Sequence, residues 1–327
     1  MKFQFRNGII AILVLSILLS PAITWAGEVR IEQLVQFLAI GTGTMTGTYF
    51  PLGKAFASIW SAGSDRLKVA SQASNGSIEN IRLMKSGDLN LAIAQSDIVL
   101  AALKGTGSFE NDAWPDLKVL MALFPEVVQI IASENSGITS ISQLKNRKIA
   151  VGSKGSGSAI TSIELLANAG IAPSDYEPVF YSYDEAIQGM ERGDCDAMIV
   201  IAGIPTKAVV ELEKRIKITI VSFYPEEIAA LTSTLPYLSA VSIPAGTYST
   251  QTEKTETLAL MALLVGSARL SDNLVYQLNG MIFDNLDYLQ KVHERARDIS
   301  LQTYMNSVPE NTLHPGSLRF YQDRKQQ

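Results

Sequence analysis

The sequence predicts an α/β protein built from two domains of like design, and three observations carry that prediction. First, a strand, Gly-rich loop and helix unit occurs twice. LAIG runs into TGTMTGT and YFPLGKAFASIW over residues 38–60, and KIAVG runs into SKGSGS and AITSIELLANA over 148–169. A second echo follows each, LMKSGDLNLAIAQSD at 83–97 and GMERGDCDAMIVIAG at 189–203. Second, apolar strands alternate with amphipathic helices, the pattern of a mostly parallel sheet. Third, 327 residues exceed one ordinary core, at roughly 150 residues per domain. Two facing Gly/Ser/Thr loops make a place to hold a small polar molecule.

The chain opens with Lys2 and Arg6, a 12-residue apolar run IIAILVLSILLS, and the small-residue exit Thr24-Trp25-Ala26. This pattern predicts a secretory signal peptide over residues 1–26, cleaved after Ala26, and a soluble periplasmic product. The alternative is an uncleaved N-terminal membrane anchor, against which Pro21 interrupts a run short of the ~20 residues that span a bilayer. No Cys lies near the exit to carry a lipid. The full chain holds 27 Lys and Arg against 32 Asp and Glu, a net charge of −5, and losing Lys2 and Arg6 makes the remainder more acidic still. Without basic runs or interleaved aromatics, nucleic acid is not an expected partner. Cys195, the one cysteine, cannot form an internal disulfide and reads as small core filler; the competing reading, a catalytic thiol, lacks a nearby histidine.

Residues 27–36 read as a polar lead-in, and the first α/β stretch starts at Leu38. After the strand LAIG and its loop come a helix over 50–61, the strand LKVAS at 67–71, a Ser/Asn loop, a helix over 77–86 and the strand LNLAIAQ. A charged, Gly-bearing segment ending at Asp116 precedes the strand LKVLMALF; Pro125 then interrupts, and VVQIIAS begins another strand. The first crossing between domains is expected here. ITSISQLKN reads as a short helix capped by Ser140, followed by the strand KIAVG, a helix over 158–169, the connector GIAPSDYEP and a helix over 184–192. The strand DAMIVIAG, a helix over 206–214 and the strand IKITIVS complete the second unit. The segment FYPEEIAALTSTLPYLSAVSIPAG reads as irregular apart from a strand over 240–243, and helices are expected at 254–268, 271–284 and 286–304. The first lobe is therefore taken as 27–125 plus 238–327 and the second as 126–237, with the ligand cleft between them. Tyr276, Phe283 and Tyr288 have helical spacing and read as core.

The candidate site residues sit on the loops that end these strands. Gly43, Thr44, Thr46, Gly47 and Thr48 precede a helix, so backbone N–H groups, hydroxyls and the helix N-terminus can gather a carboxylate. Met45 and Gly41 belong to the same loop, which matches neither the P-loop nor the dinucleotide fingerprint. It also satisfies a purely structural reading, a tight turn with Thr48 as N-cap. Ser156, Gly157 and Ser158 make the same case in the second unit, where Lys154 either points into the cleft as a cation for the ligand or stands solvated outside. Asn75 and Ser77, followed by Asn80, lie at a strand end and helix start, where open α/β sheets bind ligands, although either is also an ordinary cap. Gln95 and Ser96 surface at the same edge, and Gly203 ends the matching strand of the other unit. No metal site is expected, because His293 and His314 are apart and no HExxH occurs. A secreted serine hydrolase using Ser156 or Ser158 with Lys154 lacks any GxSxG or SxxK frame, so no enzyme is expected.

In order along the chain, IGTGTMTGTYFPLGKAFA, ASNGSIENIRLMKSGDLNLAIAQSD, GITSISQLKNRKIAVGSKGSGS, GMERGDCDAMIVIAGIP, LALMALLVGSARLSDNLVYQL and LHPGSLRFY resemble the TAXI-type solute receptors of tripartite ATP-independent periplasmic (TRAP) transporters. The resemblance implies a two-lobed, Venus-flytrap periplasmic-binding-protein fold of type II character, each lobe a mixed, mostly parallel sheet flanked by helices. It implies a receptor without cofactor that captures an organic acid or acidic amino acid, glutamate- or glutamine-like, and delivers it to the membrane subunits of a TRAP permease. It also implies ligand contacts from the first loop through Tyr49, from Asn75 to Asn80, from Gln95 and Ser96, and from Ser156 to Ser158. The chain departs from the family at Met45 and Thr46, usually small, at Phe50, often Tyr, at Lys154, usually neutral, and at Ser158, more commonly Thr. A phosphonate or sulfonate receptor or sensor partner is the alternative within the binding class. No heptad demands a dimer, so a monomer is expected.

Overall fold

The computed structural model describes residues 35–303 and 309–326, so the expected leader over 1–26 and nearly all of the lead-in over 27–36 lie outside the described residues. One mixed sheet runs through the described chain, flanked by helices, as an α/β reading requires. Its first unit is β1 (Gln36–Gly41), α1 (Tyr49–Ala62), β2 (Leu67–Gln72), α2 (Ser77–Ser86), β3 (Leu91–Gln95) and α3 (Ser96–Lys104), leading into the long β4 (Leu117–Ser133). The second repeats the order: β5 (Lys148–Ala150), α4 (Gly157–Asn168), β6 (Glu177–Val179), α5 (Tyr183–Arg192), β7 (Ala197–Ala202), α6 (Lys207–Glu213) and β8 (Ile218–Val221). The tail adds α7 (Pro225–Thr234), β9 (Ser239–Ile243), β10 (Thr255–Ser267), α8 (Asp272–Phe283), α9 (Leu286–Val292) and α10 (Pro315–Lys325).

The repeat seen in the sequence is a repeat of topology. Strands pair in the order β2-β1-β3 in the first unit and β6-β5-β7 in the second, parallel within each set. Both sets are closed by an antiparallel strand, β10 against β3 and β4 against β7. Those closing strands pair with each other from Ala259 and Val127 to Ser267 and Leu117, joining the units into one sheet. The carboxyl ends of β1, β2, β3, β5 and β7 carry the loops named above, as a parallel βαβ arrangement dictates.

Four elements differ from the sequence reading. The segment 254–268, read as a helix, is the strand β10, with ten of its thirteen residues buried. Both of its faces are covered, so it has no polar alternation, and its Leu, Ala and Met favour helices in isolation. Pro125 does not end a strand: β4 runs through it for 17 residues. It is tolerated because β7 first pairs at Val127, leaving Pro125 with a strand neighbour only on the β10 side. The stretch read as irregular contains α7, whose Pro225 and acidic Glu226 and Glu227 are ordinary helix-start residues. The helix expected over 286–304 is the shorter α9 followed by a 3-10 turn at Glu294–Asp298.

Apolar side chains gather into clusters that change company within the two long strands. Leu120, Phe124, Ala262 and Leu264 pack with α1, α8 and β1, whereas Val128, Ile130, Leu258 and Leu260 pack with β5, α4, β7 and α7. A second pair of clusters divides likewise, Ala122 and Leu263 on one side and Val127, Ile243 and Ala259 on the other. Tyr276 and Phe283 pack partly buried near Phe320, while Tyr288 is 47% exposed and is not core. Among the described residues no helix is long and apolar enough to cross a membrane.

Candidate functional site

A cavity opens where the strand-end loops of both units meet. The β1–α1 loop contributes Gly43, Thr44, Gly47, Thr48 and the first helical residue Tyr49; the β2–α2 loop contributes Asn75, Gly76 and Ser77. Gln95 ends β3 against it, and Ile201 and Ala202 end β7. From the second unit come Gly152, Ser153, Ser156, Gly157 and Ser158, together with Tyr183 at the start of α5. Thus the first residues of α1, α2, α4 and α5, namely Tyr49, Ser77, Gly157 and Tyr183, all line one space together with the Thr and Ser side chains of the loops.

Each loop is held by specific bonds. The Thr42 hydroxyl donates to the Gln72 carbonyl at 2.7 Å, tying the first loop to β2. Asn80, fully buried, donates its amide to the Thr42 and Ile93 carbonyls at 2.7 and 2.9 Å. It therefore braces the loop from behind and does not line the cavity. The Ser77 hydroxyl accepts from the Gln95 backbone N–H at 3.0 Å, and Ser156 caps α4 by accepting from the Ala159 N–H at 3.0 Å. Tyr183 is pinned to β7, donating to the Ile201 carbonyl at 3.0 Å and accepting the Ile201 N–H at 3.1 Å, and its oxygen lies 3.2 Å from Ser158 Oγ.

Between the units the approach is close. A Cβ on Gly157 would lie 2.3 Å from Gln95 Oε1 and 2.9 Å from Ser77 Oγ, so any larger residue there must displace the Gln95 side chain. Gln95 donates to the Thr161 hydroxyl at 3.2 Å, and that hydroxyl donates to Asp97 Oδ2 at 2.6 Å. Asp97 is 8% exposed, and burial raises its carboxyl to about 6. Thr48 reaches the Gly203 carbonyl at 3.4 Å from the other direction.

Of the residues singled out in the sequence, Gly43, Thr44, Gly47, Thr48, Tyr49, Asn75, Ser77, Gln95, Ser156, Gly157 and Ser158 line this cavity. The others do not. Thr46 buries its hydroxyl without a partner among the described residues, and Ser96 accepts the Met261 N–H of β10 at 3.3 Å. Gly203 packs against Arg295. Lys154 is exposed and borders a separate depression with Glu79, Arg82 and Ser86, so the solvated alternative describes it. At the positions of the catalytic alternatives, Ser156 accepts the Ala159 N–H as the cap of α4, Ser158 meets a tyrosine, and burial pushes the Cys195 thiol up to about 11. His314 caps α10 through Nδ1, and among the described residues no group of His, Cys, Asp and Glu could hold a metal ion.

Glu126 was not anticipated. It is 2% exposed, lines the cavity, and accepts a 2.7 Å hydrogen bond from the Tyr49 hydroxyl, whose ring meets Phe124 edge-on at 6.3 Å. Burial is the main reason its carboxyl is held well above the usual carboxylate range.

A model of the NMT1-like family matches residues 40–324. Among solved structures, the chain is similar to the alkanesulfonate-binding protein SsuA from Xanthomonas axonopodis pv. citri bound to MOPS. That match has 16% identity, covers 88% of this chain and 84% of that one, and has a TM-score of 0.44. It is also similar to a putative L-cystine ABC transporter from Listeria monocytogenes, at 14% identity over 81% and 98% of the two chains with a TM-score of 0.49. An ancestral arginine-binding protein bound to arginine matches at 16% identity over 79% and 97%, again with a TM-score of 0.49.

Proposed function

The chain belongs to the NMT1-like family, and from that premise we propose that it is an extracytoplasmic solute-binding protein that captures a small carboxylate-bearing solute and delivers it to a TRAP-type membrane permease. The observation that carries this reading is one cavity lined both by Gly43, Thr44, Gly47 and Thr48 of the first unit and by Ser156, Gly157 and Ser158 of the second. The proposal includes two lobes closing on the solute as a hinge, with the joint in β4 beside Pro125 and in β10 near Met261, where the apolar clusters change company. This moves the return to the first lobe from residue 238 into β10, because Ile243, Leu258 and Ala259 pack with the second lobe. Export by the N-terminal leader and a periplasmic location belong to the same reading.

The test is native mass spectrometry of the purified protein, followed by a thermal-shift screen of amino acids, organic acids and sulfonates. A solute at 100 times its Kd is expected to add about 2.7 kcal/mol of stability. A protein that carries no small molecule and is unmoved by the whole panel is not a receptor of this class.

A further inference from the structure

Resting on the receptor reading and its proposed closure, we infer that Thr161 is a positioning residue that latches the two units together, setting how long the solute is held without touching it. Thr161 lies on α4 of the second unit, is fully buried, and is not among the residues lining the cavity. Its hydroxyl reaches across to the first unit, donating to Asp97 Oδ2 at 2.6 Å and accepting from the Gln95 side-chain amide at 3.2 Å. Its neighbour Ile160 packs partly buried against the first unit's apolar cluster, which includes Ala94, Ile98 and Val99. The start of α3 and the first turns of α4 are thus joined by a buried polar bridge with an apolar flank.

A second acceptor makes the bridge releasable. A hydroxyl carries one proton, and that of Thr161 has two oxygens within reach: Asp97 Oδ2 in the other unit, and the Gly157 carbonyl of its own helix at 2.9 Å. With the units together the proton goes to the carboxyl, the shorter of the two bonds. With the units apart it falls back on Gly157, four residues earlier, so opening strands no hydroxyl. Gln95 connects this switch to the cargo, because it both lines the cavity and bonds Thr161. A solute that engages Gln95 while the bridge is made binds the closed arrangement better than the open one, and such a difference in affinity is what shifts a conformational equilibrium.

The test follows the best-binding solute of the screen above by stopped-flow and titration calorimetry, in the wild type, Thr161→Val, Thr161→Ser, Asp97→Ala and the double variant Thr161→Val with Asp97→Ala. Thr161→Val and Asp97→Ala are each expected to release the solute about tenfold faster, with the association rate and the order of preference among solutes unchanged. Thr161→Ser, which keeps the hydroxyl, should stay within about twofold of the wild type. The double variant should release the solute no faster than the single variants, because both sever the same bond. Wild-type release in either single variant, losses that multiply in the double variant, or a changed order of preference overturns the latch and leaves the receptor reading intact. A wild-type protein that binds no solute overturns both. Asp97→Ala leaves the Thr161 proton its Gly157 acceptor, so this arm decides the matter even where Thr161→Val does not fold.

Discussion

Asp97 carries a pH dependence that can be signed. Its folded carboxyl is raised from an ordinary 3.8 to about 6, so the native state holds the proton more tightly than the unfolded chain. Its contribution to stability is complete below pH ~3.8 and is lost as the pH rises through about 6. Urea unfolding at pH 4 and pH 7 should therefore show Asp97→Asn gaining about 2 to 3 kcal/mol on the wild type between those values; equal slopes would assign the raised carboxyl no role in stability. At this scale the hydroxyl and glycine positions of the loops were legible, because a Gly-rich turn between a strand and a helix announces itself. Asn80 misled, since a buried amide bracing a loop and one touching a ligand look alike in sequence. Glu126 left a signal that went unused: it is the one acid inside the 17-residue apolar strand LKVLMALFPEVVQIIAS, where an unpaired charge is costly.

Among the elements, α4 meets β3 through a contact in which a side chain at Gly157 would have to displace Gln95. Gly157→Ala is expected to cost about 1 to 3 kcal/mol, seen as weaker solute affinity or a lower urea midpoint; a variant equal to the wild type in both would mean the two units do not need to approach this closely. In β10, Leu264 is fully buried between two layers, and Leu264→Ala should cost about 2 to 5 kcal/mol of unfolding free energy without altering solute preference. That strand was illegible as a strand because periodicity vanishes when both faces are covered, leaving composition to speak for helix. The helix α7 was hidden differently: its start residues are plain, but only Leu231 of its ten residues is buried, so it lacks a strong apolar stripe.

For the whole molecule, the doubled order β2-β1-β3 and β6-β5-β7 was readable in outline from the repeated loops, since like strand-loop-helix units fold alike. What closes each set was not, because β10 comes about 160 residues after β3 and no local pattern records so distant a pairing. If the proposed closure operates, small-angle scattering should report a smaller radius of gyration with the best-binding solute than after its removal, and an unchanged radius would argue for a rigid receptor. The pairing of β4 with β10 shapes any such motion. Both passages between the halves are hydrogen-bonded side by side, and their ladder slips register between Ala262 and Leu263, close to Pro125. A ribbon of two plies with a crease pressed into it folds along that line and resists sliding, so the closure proposed above would have a single swing open to it.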